Sequence, residues 1–134
     1  MSRIQVYDAT GTLQDLNLGG LMTATDVDAQ TNTLTVAQIV GGIVVHTSVT
    51  GSGTVTTDTA VNIIAGSNGD GILTNVGDTE ICYYINDGDQ TLTFAGGTDV
   101  TVADTGQTVA ANESAILLFR KTAATTVTMY VIGA

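Results

Sequence analysis

Nucleophilic chemistry in this chain would have to come from Cys82, the single cysteine, with His46, the single histidine, as its base. Cys82 lies in the middle of an alternating run and has no neighbouring positive charge to lower its pKa, so the sequence reads it as a buried, inert thiol. His46 falls between Val45 and Thr47, on the opposite strand face from Val45, which places it at a surface or an interface. A metal held by one His and one Cys would need carboxylates from elsewhere, and no metal-binding spacing is present. Carboxylate clusters at Asp26-Val27-Asp28, Asn68-Gly69-Asp70-Gly71 and Asp87-Gly88-Asp89 offer oxygen ligands suited to calcium. None follows the alternating calcium loop with its terminal Glu, and turn chemistry, with Gly at positive φ and Asp bonding its own backbone, accounts for them better. Glu80 and Glu113 are the only glutamates, and no aromatic platform accompanies them as a glycosidase pair would require. The Gly-rich stretches lack a phosphate-binding Lys. The expectation is a protein that is not an enzyme and has no cofactor and no metal.

Composition narrows what could position such residues. The 134 residues amount to one domain. Twenty-five Thr, 15 Val and 16 Gly with no Pro and no Trp favour strands joined by Gly and Asp turns. Thirteen acids against Arg3, Arg120 and Lys121 give a formal charge of -10. Neutralising nucleic acid needs clustered Lys and Arg, and anionic lipid would repel this charge, so neither is expected as a partner. With 43% hydrophobic residues the chain is too apolar for disorder, and six aromatics mean a core of Val, Ile, Leu and Ala. The apolar run Ala115 to Phe119 is far short of a membrane span, and Met1-Ser2-Arg3 opens no signal peptide, which suggests synthesis in a cytoplasm.

Along the chain, residues 1–35 carry sparse apolar positions and read as an extended N-terminal arm, with Gly19-Gly20 and 26–32 as loop; an edge strand plus a long loop on its own domain is the alternative. Ile4, Val6, Tyr7, Leu13 and Leu16 are its candidate docking residues, because they are apolar on an otherwise polar segment. Residues 36–134 read as the folded domain. Leu34 and Val36, then Ile43, Val45 and Val49, predict a hairpin about Gly41-Gly42. Residues 58–66, with Ala60, Ile63 and Ile64 at helical spacing, predict one or two helical turns from a Thr57 or Asp58 cap to Gly66, with a strand as the alternative because Val61, Ile63 and Ala65 also alternate. After a turn at 67–71, Ile81, Tyr83 and Ile85 alternate, Asn86 to Gln90 turn, and Leu92 and Phe94 return as a second hairpin. Val100 with Val102, Thr108-Val109, Glu113 to Lys121 and Thr126 to Ile132 complete the array, with Glu113 to Lys121 central and buried on both faces. The echo between Gly53-Thr54-Val55-Thr56 and Asp99-Val100-Thr101-Val102 has no sustained period, so no repeat architecture is expected. The predicted fold is all-β: a single antiparallel β-sandwich, jelly-roll-like, with at most one short helix.

A more specific signal lies in an ordered succession over residues 54–132. Asp58-Thr59-Ala60-Val61-Asn62-Ile63-Ile64-Ala65 and Val76-Gly77-Asp78-Thr79 are followed by Ile85-Asn86-Asp87-Gly88-Asp89-Gln90-Thr91-Leu92-Thr93 and Ala95-Gly96-Gly97-Thr98-Asp99-Val100-Thr101-Val102. Thr108-Val109-Ala110-Ala111-Asn112-Glu113-Ser114 and Thr125-Thr126-Val127-Thr128-Met129-Tyr130 complete it. This order resembles a module of tailed-bacteriophage structural proteins, above all the capsid decoration, or cement, proteins, with relatives in tails and fibres. It departs from their common pattern at Thr98-Asp99, where Gly-Val is frequent. The resemblance implies an all-β domain, usually a homotrimer, seated on the capsid exterior of the virion. There it would bind the major capsid protein, clamp neighbouring subunits and stabilise the head. A tail or fibre component that binds a host receptor is the alternative it leaves open.

Overall fold

The computed structural model describes residues 3–7, 10, 13–17, 22–47, 50–66, 73–104 and 106–133, with 3–7 and 13–17 as backbone. Twelve strands and two helices follow one another: β1 Arg3–Tyr7, β2 Leu13–Asn17, β3 Thr23–Val27, β4 Asn32–Leu34, α1 Val36–Gly41, β5 Gly42–His46, β6 Gly53–Thr57, α2 Ala60–Ala65, β7 Thr79–Asn86, β8 Leu92–Ala95, β9 Val100–Val102, β10 Thr108–Val109, β11 Glu113–Lys121 and β12 Val127–Ile132. They make a six-stranded sheet in the order β3-β5-β7-β11-β12-β9, a four-stranded sheet in the order β10-β8-β6-β4, and a separate β1-β2 ribbon.

From β3 to β11 each successive strand lies in the other large sheet. Up to β8, a strand that comes back to its own sheet after such a circuit runs parallel to its predecessor: β3, β5 and β7 are parallel in one sheet, and β4, β6 and β8 in the other. Later strands reverse: β10 runs antiparallel to β8, and β11 runs antiparallel to both β7 and β12. The expected all-β antiparallel sandwich is therefore wrong. The fold is mixed α/β, with two sheets of mixed strand direction and two helices on the return paths. The alternation of apolar and polar residues placed the strands from β7 onward but missed β3 and β4 and read a strand into α1, and it carries no information on which sheet each strand joins.

Two predicted hairpins are corrected for the same reason. Around Gly41-Gly42 the chain forms α1 rather than a turn: Thr35 accepts from the Gln38 N–H while the Gln38 side chain accepts from the Thr35 N–H, a complete capping box. Val36 and Ile39, one turn apart, are buried, and Gly42, with φ 89°, ends the helix in the left-handed region. Around 86–90 the turn is a corner between sheets, because β7 and β8 belong to different ones. The helix expected over 58–66 forms as α2 and is closed by Gly66, but its cap is Thr59, whose side chain accepts from the Asn62 N–H, and not Thr57 or Asp58. Residues 67–71 lie outside the described residues, as do Gly19-Gly20, Val49 and Thr105.

One core is shared by both sheets and both helices. Val44, Tyr84, Leu117, Phe119 and Met129 from the six-stranded sheet meet Leu34, Val55, Leu92, Phe94 and Val109 from the four-stranded one, with Ile39 and Ile63 added by the helices. Tyr84 and Phe94 pack edge to face across the gap, their centroids 5.2 Å apart. β11 is internal, as expected, but buried on one face only: Ala115, Leu117 and Phe119 point inward, whereas Ile116 and Leu118 are half-buried. Thr23–Val27 and Asn32–Leu34, within the segment read as an arm, are strands of the two large sheets.

Candidate functional site

The residues that could do covalent chemistry are dispersed into the core. His46 is fully buried, not on the surface as its sequence neighbours implied. Its Nε2 bonds the Ala29 carbonyl, which can only accept, so Nε2 carries the proton and Nδ1 accepts from the Tyr84 hydroxyl at 2.7 Å. Burial pushes the Tyr84 pKa up, with the Asn32 amide offsetting part of that rise. Cys82 is also buried, but it lies four residues along β7 from Asn86, the register partner of His46, or about 13 Å. Its thiol is pushed up to about 12, first by burial and then by the Glu80 carboxylate. A thiol in that state supplies no nucleophile at neutral pH.

The acidic clusters do not converge either. Among the described residues no three His, Cys, Asp or Glu side chains come together as a metal site. Asp26 is exposed on β3, and Asp87 and Asp89 are exposed on either side of the buried Gly88. The corner they occupy is held by a buried amide: Asn86 Nδ2 donates to the carbonyls of Gln90, Ala110 and Val109, and Asn86 Oδ1 accepts from the Gly88 N–H. The acids thus serve a turn rather than a metal, but not as expected: Gly88 does not take a positive φ, and Asn86 rather than an Asp makes the bonds. Asn68 and Asp70 lie outside the described residues. No helix among the described residues is long and apolar enough to cross a membrane.

The docking candidates fall on the β1-β2 ribbon. Its register sets Ile4 against Leu16, Val6 against Gln14 and Tyr7 against Leu13, so two of the three pairs are apolar on both sides. The ribbon is hydrogen-bonded to neither large sheet. A lone two-stranded ribbon is marginal in water and gains order from a surface to lie on.

The feature that sequence reading missed is the outer face of the six-stranded sheet. Ile81, Tyr83 and Ile85 alternate as expected, and Cys82, Tyr84 and Asn86 point into the core, leaving the apolar trio outside. Register extends the patch across neighbouring strands. Ile43 and Val45 stand beside Tyr83 and Ile85, while Leu118 and Ile116 stand beside Ile81 and Tyr83. Tyr130 and Ile132 follow on β12. Ile81, Tyr83, Ile85 and Ile132 are each between 37% and 46% exposed. In a chain of charge -10, the outward positions of these six strands carry two charges only, Asp26 on β3 and Arg120 on β11. Near Arg120 a groove of about 360 Å³ runs between Ala103, Asp104 and Gln107 on one side and Leu118, Tyr130 and Ile132 on the other. The sequence signal was available: the apolar run 81–85 has no polar residue on either face, as a strand covered on both sides requires.

Chemically, the arrangement suits burial against another apolar surface, and among the described residues no acid, base, nucleophile or ligand set converges. No protein-family model, curated protein or solved structure matches the chain.

Proposed function

We propose that the protein is a structural virion protein, a cement or decoration protein that binds the outer surface of a phage capsid as a homotrimer and stabilises the head. The observation that carries an assembly role is the uncharged, apolar outer face of the six-stranded sheet on an otherwise acidic molecule. Contiguous exposed apolar surface of this kind marks protein contact sites. The ordered succession of motifs over residues 54–132 supports placing that role on a phage particle. The ribbon supplies a second contact, with Ile4, Val6, Tyr7, Leu13 and Leu16 meeting the major capsid protein, and several ribbons engaging together add avidity. An acidic exterior keeps the unassembled chain soluble and gains nothing beside packaged DNA.

Immunogold electron microscopy of intact virions with an antibody to this chain tests the reading. Label spread over the head is the expected result, with occupancy lost when residues 1–18 are deleted. Label confined to the tail tip would replace it with the tail-fibre reading, and absence from all particles would overturn both.

A further inference from the structure

The two charges on the outer face stand at opposite corners of the apolar patch. Asp26 shares a register level with Val45, Ile85 and Ser114, whereas Arg120 lies at the other end of β11, opposite Thr79 and Thr128. They are three strands and six residues apart, or about 25 Å at ordinary sheet spacings. That is well beyond the screening length of about 8 Å, so they do not neutralise each other within one chain. Neither has an ion-pair partner among the described residues. The midpoint of the diagonal falls beside Ile81, Tyr83 and Ile43, at the heart of the patch.

This layout is self-complementary. Consider a rotation axis that runs parallel to the face and perpendicular to the diagonal. Both corners then have the same height along the axis and lie on opposite sides of it. Turning one copy onto the next brings the acidic corner of one against the basic corner of the other, with apolar side chains between. A second copy of this chain also solves a problem that other proteins do not share: two molecules of charge -10 repel unless they meet through a neutral surface with paired ends. The patch from β3 to β12 is roughly 20 by 20 Å in plan, which with side-chain relief is the low end of the about 600–800 Å² that each partner contributes to a specific contact.

We infer that the outer face of the six-stranded sheet is the contact between copies of this chain, arranged about such an axis with Asp26 of each copy against Arg120 of its neighbour. The inference deepens the assembly reading above and rests on it only for copies being gathered. Its test uses the purified full chain, so its failure is distinct from a failure of the virion assignment.

Light scattering on the full chain at about 100 µM and physiological salt is expected to give a mass at least twice the 13.6 kDa of one chain. Asp26→Arg and Arg120→Asp should each weaken association at least tenfold, and the double swap should recover it to within about threefold. Tyr83→Asp, at the patch centre, should give monomers, while Val61→Ser, exposed on α2, should change nothing. Circular dichroism establishes that each variant is folded. If any is not, mixing Asp26→Cys chains with Arg120→Cys chains under mild oxidation gives an independent reading: a disulfide-linked pair between the two chain types is expected, with the buried Cys82 silent. A monomeric parent chain, a Tyr83→Asp oligomer, a double swap no better than its parents, or no mixed disulfide would each overturn the inference.

Discussion

Cys82 shows how burial removes a chemistry that residue type alone suggests. With its thiol pushed up to about 12 by burial and by Glu80, it should resist a thiol-directed reagent at pH 8 in the folded protein and react within minutes once urea unfolds the chain. Rapid labelling of the native protein would show that the β7 interior opens. Glu80 itself carries a raised pKa, chiefly from burial, partly offset by the backbone N–H of Ile81. The charged form is thus the one that folding disfavours. The stability Glu80 contributes is fully present below its unfolded pKa of about 4.3 and is lost as pH rises through the higher folded value. Glu80→Gln should therefore raise the melting temperature by roughly 1–3 °C at pH 7, a modest figure because the group is partly solvated, and by almost nothing near pH 4. Thermal melts at the two pH values check the sign. His46 was the residue least legible in the sequence. Its neighbours suggested exposure, but its burial depends on Ala29 and Tyr84, 17 and 38 residues away, which supply the two bonds that make a buried imidazole tolerable.

At the scale of elements, the two helices echo one another. Thr35-Val36-Ala37-Gln38-Ile39-Val40-Gly41-Gly42 and Thr59-Ala60-Val61-Asn62-Ile63-Ile64-Ala65-Gly66 share the capping Thr, the amide at the third helical position, the buried Ile and the closing Gly. Each follows a strand of the four-stranded sheet and carries the chain back to the six-stranded one. The second copy was readable as a helix because a polar turn precedes it. The first was misread because Leu34 and Val36 happen to alternate across its cap. Corners between sheets rest on single side chains, and Asn86 is the clearest: its four bonds tie the end of β7 to Gly88, Gln90 and the carbonyls of 109 and 110. Asn86→Ala leaves those groups buried and unpaired and should cost about 2–4 kcal/mol, read from urea denaturation midpoints. Asn86→Asp should cost at least as much, since a carboxylate cannot donate to the three carbonyls.

Across the whole molecule, one core joins two sheets of unequal size, and none of the described residues covers the outer face of the larger sheet. Strand positions from β7 onward, the helix at 60–65 and the inertness of Cys82 follow from local pattern and chemistry, because alternation, caps and turn residues act over a few positions. The excess of acid, the poverty of aromatics and the absence of phosphate-binding motifs likewise came from composition. What the sequence did not contain was the path between strands. Whether Leu92 pairs beside Ile85 or crosses to the other sheet is decided by which apolar faces close over one another, a global property that no local period encodes. The phase of β7 was settled in the same way: Ile81-Cys82-Tyr83-Tyr84-Ile85 is apolar on both faces, so either set could have faced inward. Packing chose Tyr84, whose ring meets Phe94 and whose hydroxyl meets His46, and the apolar trio was left outside as a surface for assembly.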